Sequence, residues 1–438
     1  MSALGRLPVV ADLTLVTAGA MTANVAGYLL QLLAGRWLGV AGYSEFASLL
    51  AVQLLCAVPA LALQNVVARE LVRGASIAAV RRLGWRCAAI VAVAAVVFVP
   101  AVSVVLHVSA VAAAGAMLAA PALVLLSGEQ GVLQGGRRFR SLALVLGGAG
   151  VARVTPALIV LAVGGGSAVA LWATAAGLSA AAFGARRVAG NSPPADLPGA
   201  TTTAGDSSGP DRPRQPSSPA APPAHPRTPF EPGKRVREQA GSAAVGVLPV
   251  LRAAQVQAVL MALSSADLIV ARIVLDDADA SRYALGAIAT KIAFWLPQAV
   301  GVVLYPRMAQ PQHSARAVRD ALGVLSAIGV VAVAGAAVCA PLAPLFAGQD
   351  YAPIEGWLWL FALDGALLAL LQGALLSAIA VDRTAPAAVT WAALAVEVVV
   401  MLVFARSLPA LIGTATIVAA TATAAMVAVV LRATRQRH

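Results

Sequence analysis

Charge is scarce in this chain of 438 residues: Asp, Glu, Lys and Arg together make up 11% of it. A soluble globular protein carries about 25%, so the sequence cannot build an ordinary wetted surface, and a soluble enzyme is excluded. Cysteine is almost absent. Cys56, Cys87 and Cys339 sit in or beside apolar runs without paired spacing, which excludes a disulfide scaffold and a redox or zinc motif. His107, His225, His313 and His438 are scattered and form no metal-binding pattern, so no metal and no cofactor is expected. Lysine occurs only twice, against 29 arginines. The N-terminal apolar stretch has no early small-residue cleavage pattern, and it reads as a full span, not a removable signal peptide.

What the chain has instead is hydrophobic length. Sixty per cent of it is hydrophobic and its mean hydropathy is +0.84. Asp12 to Arg36 encloses 23 uncharged residues, Glu45 to Arg69 another 23, and Arg86 to Glu129 as many as 42. About 20 apolar residues make one transmembrane helix. Reading uncharged stretches as spans predicts helices over 8–34, 42–68, 87–107, 109–132, 141–163, 166–186, 243–271, 280–305, 319–345, 354–381, 385–405 and 408–431. Residues 189–240 interrupt the series and hold 12 of the 26 prolines. Such a stretch cannot bury enough apolar surface to order itself and is expected to be a disordered linker. The fold class is therefore all-α and polytopic, with twelve transmembrane helices in two six-helix lobes, residues 1–188 and 241–438.

The basic residues give this arrangement a direction. With the N-terminus in the cytoplasm, 24 of the 31 fall in inside segments, among them Arg69, Arg73, Arg137, Arg138, Arg186 and Arg187. Only Arg36, Arg272, Arg282 and Arg406 fall outside. This bias matches the positive-inside rule and predicts both termini and the linker in the cytoplasm of a bacterial inner membrane. The net charge of +12 then reports topology and anionic lipid, and no nucleic-acid partner is implied.

The two halves echo each other. Arg36, Tyr43, Pro59 and Arg69 in the first correspond to Arg272, Tyr283, Pro297 and Arg307 in the second, with ten residues from Pro to Arg in both. Both prolines are expected to kink their helices. Parallel halves with an even number of spans are common among secondary transporters.

These residues also carry a family resemblance. RWLGVAGYSEFASLLAV (Arg36 to Val52), GVLQGGRRF (Gly131 to Phe139), ADLIVARIVL (Ala266 to Leu275) and LYPRMA (Leu304 to Ala309) resemble segments of the Wzx-like lipid-linked oligosaccharide flippases. These form the polysaccharide-export branch of the MATE/MurJ (MOP) superfamily. The resemblance implies two lobes around a central cavity, alternating access, and a polyprenyl-diphosphate-linked glycan as cargo. Envelope glycosyltransferases or polymerases are implied as partners. The long Pro-rich linker departs from the family's usual short one. The chain also has fewer spans than lipid II flippases usually have, which disfavours a lipid II assignment.

A charge at the centre of a span costs about 2.5–3.5 kcal/mol on insertion scales, so each one asks for a reason. Arg153 and Lys291 lie near mid-span, and Gln298, which shares a helical face with Lys291, is a further candidate substrate contact. Arg153 and Lys291 are the candidate cations of a wet cavity, because guanidinium and ammonium groups suit a diphosphate. Asn24, Gln31 and Gln53 are candidate contacts to sugar hydroxyls, with helix-to-helix hydrogen bonding as the plainer use. Asp267 and Asp364 are candidate sites for H⁺ or Na⁺ coupling, or else structural partners of Lys291. Glu397 and Arg252 are further intramembrane charges that could line the cavity, although Arg252 can also snorkel to the surface. Two other functions stay open: a MATE-like exporter of cationic drugs, and a membrane glycosyltransferase or glycan polymerase, for which Asp276, Asp277 and Asp279 are the clustered acids.

Overall fold

The structure, a computed structural model, describes residues 7–190, 247, 255, 258–308, 314–379 and 385–435. Arg252, the linker and most of the start of the seventh span lie outside the described residues. Among those described, all regular structure is helical. In the first half, α1 (Leu7–Cys56) and α2 (Val58–Val72) are followed by α3 (Ile77–Val105), α4 (Ala110–Met117), α5 (Ala119–Gly135), α6 (Phe139–Ala162) and α7 (Ser167–Gly190). In the second come α8 (Ala266–Val274), α9 (Asp277–Met308), α10 (Ser314–Cys339), α11 (Leu342–Ala347), a 3-10 segment (Gln349–Trp357), α12 (Leu358–Ile379), α13 (Ala385–Phe404) and α14 (Leu408–Arg435). Among the described residues, eight helical stretches are long and apolar enough to cross a membrane, and Ala388–Phe404 is a shorter apolar helix. The breaks between them fit twelve crossings.

The first of these stretches, Thr14–Val72, runs for 59 residues, far more than one bilayer needs at 1.5 Å per residue. It becomes two crossings because Gly39 stands at φ 63°, ψ −178°, a conformation open essentially to glycine alone. A second break at Ala57 precedes Pro59, as expected of a helical proline. In contrast, α9 stays helical through Pro297, without a break of the kind seen at Ala57. Span four divides into α4 and α5 at Leu118, just ahead of Pro121.

Three boundaries move from their expected places. The third helix starts at Ile77, not 87, because the Ser76 side chain caps it by accepting from the Ala79 N–H at 3.2 Å. Arg81, Arg82 and Arg86 consequently sit on the first turns of α3. The ninth span ends at Cys339 and not at 345, where Pro341 and Pro344 redirect the chain into short α11. The tenth opens as a 3-10 segment behind Gly348, at φ 117°.

Burial shows how the halves meet. α1 packs on α6 in its own half and on α9 in the other. One core holds Leu30, Tyr43, Phe46 and Leu49 together with Tyr283, Ile288, Phe361 and Leu411, so its apolar surface is shared by both halves. The outward faces are equally apolar: Val93, Val97 and Phe98 on α3, and Val330, Val331 and Val338 on α10, are exposed. Exposed apolar faces of this length suit lipid, and the protein is a multi-pass membrane protein.

Candidate functional site

The site gathers side chains from α6 of the first half and from α8, α9, α12 and α13 of the second, with α1 packed against both α6 and α9. Arg153 stands near the middle of α6. Its Nε is buried and has no hydrogen-bond partner among the described residues. A Cβ on Gly177 would run into the Ala152 carbonyl and the Arg153 backbone, so only a glycine lets α7 press this closely behind the arginine. The second half repeats the device. A Cβ on Gly365 of α12 would collide with the Thr290 carbonyl on α9, and the Thr290 hydroxyl donates to the Phe361 carbonyl at 2.9 Å. Lys291 is the next residue, held on a rigid helix-to-helix contact and 8% exposed.

Around Lys291 the interior is acidic. Asp267, Asp364 and Glu397 are 2%, 3% and 3% exposed. The Tyr283 hydroxyl donates to Asp267 Oδ2 at 2.9 Å, and Tyr283 is itself fixed edge-on against Phe361, with centroids 5.0 Å apart. Asp267 Oδ1 is buried without a partner among the described residues. Lys291 lies within electrostatic reach of Asp267 and of Arg153, and Asp364 and Glu397 lie within reach of Asp267. Two cations and three carboxylates from both halves therefore share one interior field. Among the described residues, no three His, Cys, Asp or Glu side chains converge closely enough to hold a metal ion.

Of the residues singled out in the sequence, Arg153, Lys291, Asp267 and Asp364 are brought together, and Glu397 joins them. Gln53 is elsewhere: it is buried in the first half, and its Nε2 donates to the Ala116 carbonyl at 3.3 Å, a helix-to-helix use. Asn24 and Gln31 are half-buried along α1, the helix that runs between the halves. Gln298 continues α9, but its side chain lies outside the described residues. The clustered acids that an enzyme would need are engaged locally. Asp276 Oδ1 accepts from the Asp279 N–H at 2.8 Å, Asp277 pairs with Arg272, and Asp279 accepts from Arg282 at 2.7 Å.

Tyr283 and Arg272 carry more than the sequence reading assigned them. Both stood out only as repeat markers, yet Tyr283 holds a site carboxylate and Arg272 reaches into the other half. Arg272 Nε and Nη2 donate to the carbonyls of Leu106 and His107, at 3.0 and 3.2 Å. Their recurrence at matched places in the two halves was the available signal.

The same architecture is found in solved transporters. The lipid II flippase MurJ in an inward closed conformation superposes with a TM-score of 0.67 at 9% identity, covering 94% of this chain and 86% of that one. This chain shares that flippase's fold. The MATE transporter VcmN of Vibrio cholerae matches with a TM-score of 0.59 at 14% identity, over 97% of both chains. An inward-facing MATE-family multidrug resistance transporter of the MOP superfamily matches with a TM-score of 0.59 at 13% identity, over 96% of this chain and 94% of that one. No protein-family model and no curated protein sequence matches. These MOP-fold neighbours are transporters and flippases, not enzymes.

Proposed function

We propose that the protein is a flippase that moves a polyprenyl-diphosphate-linked oligosaccharide from the inner to the outer leaflet for cell-envelope polysaccharide synthesis. The observation that carries this reading is the pairing of Arg153 and Lys291, one from each half, within electrostatic reach of each other. Buried cations need anions beside them: Asp267 answers Lys291, while the buried Arg153 Nε has no partner among the described residues and is open to a cargo anion. A diphosphate is such an anion: guanidinium binds it bidentately and ammonium as a point charge. Asn24 and Gln31, on the helix between the halves, are suited to sugar hydroxyls. The sequence resemblance to lipid-linked oligosaccharide flippases points the same way. Rocking of the halves about the bound headgroup would expose it to each side in turn, while the prenyl tail stays in lipid.

Counting charges adds a coupling ion. Three carboxylates face two cations, so one negative charge remains when all five are ionised. A proton or a Na⁺ at Asp267 or Asp364 would offset it, and the unpartnered Asp267 Oδ1 is the open acceptor. The same acids favour a second reading, a MATE-like exporter of cationic drugs. The orientation belongs to the proposal as well: the arginine-rich loops face the cytoplasm, and residues 189–240 tether lobe 1–188 to lobe 241–438. Translocation of a labelled lipid-linked sugar in proteoliposomes tests the proposal. Protein-dependent flipping is expected, and gradient-driven export of a cationic dye without lipid flipping would install the second reading instead.

A further inference from the structure

A cleft of about 450 Å³ opens in the first half, away from the site where the halves meet. Its floor is α5, and its walls are the start of α3 and the end of α7. It runs from Leu118 to Val132 along its floor, about 21 Å at 1.5 Å per residue. One leaflet of hydrocarbon is about 15 Å deep, half of a 30 Å core, so the cleft covers a leaflet's depth. Pro121, Ala122, Leu125 and Ala182 make its lining mainly apolar. Small residues at Gly84, Gly128 and Ala182 keep it open between the two walls.

One end of the cleft is charged. Glu129 is 6% exposed, and both of its carboxylate oxygens are taken by Arg81, at 2.8 Å each. The pair is a neutral unit that ties α3 to α5. Arg186, also at the rim, is exposed and forms no ion pair among the described residues, so the cleft mouth carries a net positive charge. Beside it, Arg187 lies over the Phe183 ring at 4.6 Å, while Trp85 lines the opposite wall and is 55% exposed. An apolar slot one leaflet deep, with Arg186, Trp85 and Phe183 all lining it, suits the shape and charge of a phospholipid. Basic pockets between transmembrane helices on the cytoplasmic side are known to bind anionic headgroups, and interfacial Trp suits the headgroup level.

We infer that this cleft is a binding site for an anionic phospholipid of the inner leaflet, with one acyl chain along α5 and the phosphate on Arg186. The inference rests on the orientation proposed above and on nothing about the cargo. Trp85 supplies the probe. The full chain is reconstituted in phosphatidylcholine vesicles with a small mole fraction of brominated phosphatidylglycerol or brominated phosphatidylcholine. The fluorescence lost in Trp85→Phe isolates the signal of that one ring. At equal mole fraction, the brominated anionic lipid is expected to quench Trp85 at least twofold more than the zwitterionic one. Arg186→Gln removes this preference, Arg186→Lys keeps most of it, and Ala182→Phe, which fills the slot, lowers quenching by both lipids. Equal quenching by the two lipids, or a preference that survives Arg186→Gln, overturns the inference. So does displacement of the brominated lipid by an equal amount of polyprenyl phosphate, which would make the cleft a carrier site. Because the readout is lipid contact and not transport, failure here leaves the flippase proposal standing, and the reverse also holds.

Discussion

Arg36 and Arg272 occupy equivalent places in the two halves, and each ends on backbone carbonyls of the opposite half. Arg36 Nη1 donates to the Leu345 carbonyl at 3.3 Å, beyond the end of the ninth span. Arg272 donates to Leu106 and His107, beyond the end of the third. His107 takes a positive φ of 51° in a helix-ending turn closed by the Val108 N–H on the Ser103 carbonyl at 3.1 Å. The Tyr351 hydroxyl donates to the Gly35 carbonyl at 3.3 Å, and the Ser281 hydroxyl donates to the Val40 carbonyl. All these contacts lie on the face opposite the arginine-rich loops. The two halves are clasped there.

The clasp gives the first prediction. Arg272 also donates to the Ser44 hydroxyl, so Arg272→Ala removes three cross-half donations at once, and each hydrogen bond from a charged group contributes about 1.5–3 kcal/mol. Spin labels at Val105→Cys and Asp276→Cys, in a background without the three native cysteines, report the gap. Arg272→Ala is expected to lengthen and broaden the distance distribution. An unchanged distribution would show that the apolar core alone keeps this face shut.

The two interior cations give the second. Arg153→Ala and Lys291→Ala are each expected to cut translocation at least tenfold while protein levels in the membrane stay near normal. Lys291→Arg, which keeps the charge, retains more activity than Lys291→Ala. Wild-type flipping by either alanine variant removes that residue from the headgroup site.

The close helix contact behind Lys291 gives the third. A Cβ at position 365 meets the Thr290 carbonyl, whereas one at Gly413 meets nothing within 4 Å. Gly365→Ala must force α12 from α9, and overpacking of this kind costs about 1–3 kcal/mol. Gly413→Ala is expected to be neutral or slightly stabilising, since helical glycine is the poorer residue by about 0.5–1 kcal/mol. Thermal unfolding in detergent compares the two, and equal midpoints would contradict the close approach.

Helix placement was legible in the sequence because a span must exclude charge, and a charge-free run of fixed length has few other uses. The same rule misplaced the start of α3. Arg81, Arg82 and Arg86 were read as loop, but long guanidinium side chains can reach the membrane surface from within a helix. Mid-span position was enough to find Arg153, Lys291, Asp267 and Asp364, since depth is what makes such charges costly. It could not show that they share one interior, because Arg153 on α6 and Lys291 on α9 are more than a hundred positions apart in the chain. Nor could it separate Gln53, whose amide looks like those of Asn24 and Gln31 until its partner Ala116 is known. Tyr283 escaped for a related reason: a buried tyrosine is an ordinary core residue unless an acid such as Asp267 accepts a hydrogen bond from its hydroxyl.

That tyrosine frames the last prediction. Asp267 has one oxygen held by Tyr283 and the other open, so a coupling ion would arrive at a carboxylate already fixed in orientation. Tyr283→Phe keeps the ring contact with Phe361 but deletes the donor, leaving Asp267 in place with looser geometry. Asp267→Asn removes the charge itself, keeps the shape, and can still accept from Tyr283. If Asp267 binds the coupling ion, Asp267→Asn abolishes the response of translocation to an imposed proton or Na⁺ gradient. Tyr283→Phe then keeps a response, weakened severalfold. Imposing each gradient separately on proteoliposomes identifies the ion. If instead Asp267 only balances Lys291, both variants lower protein stability without changing gradient dependence. Flipping by the unmutated protein that is equally fast with and without either gradient would end the coupling idea and leave the three acids as structural partners of the two cations.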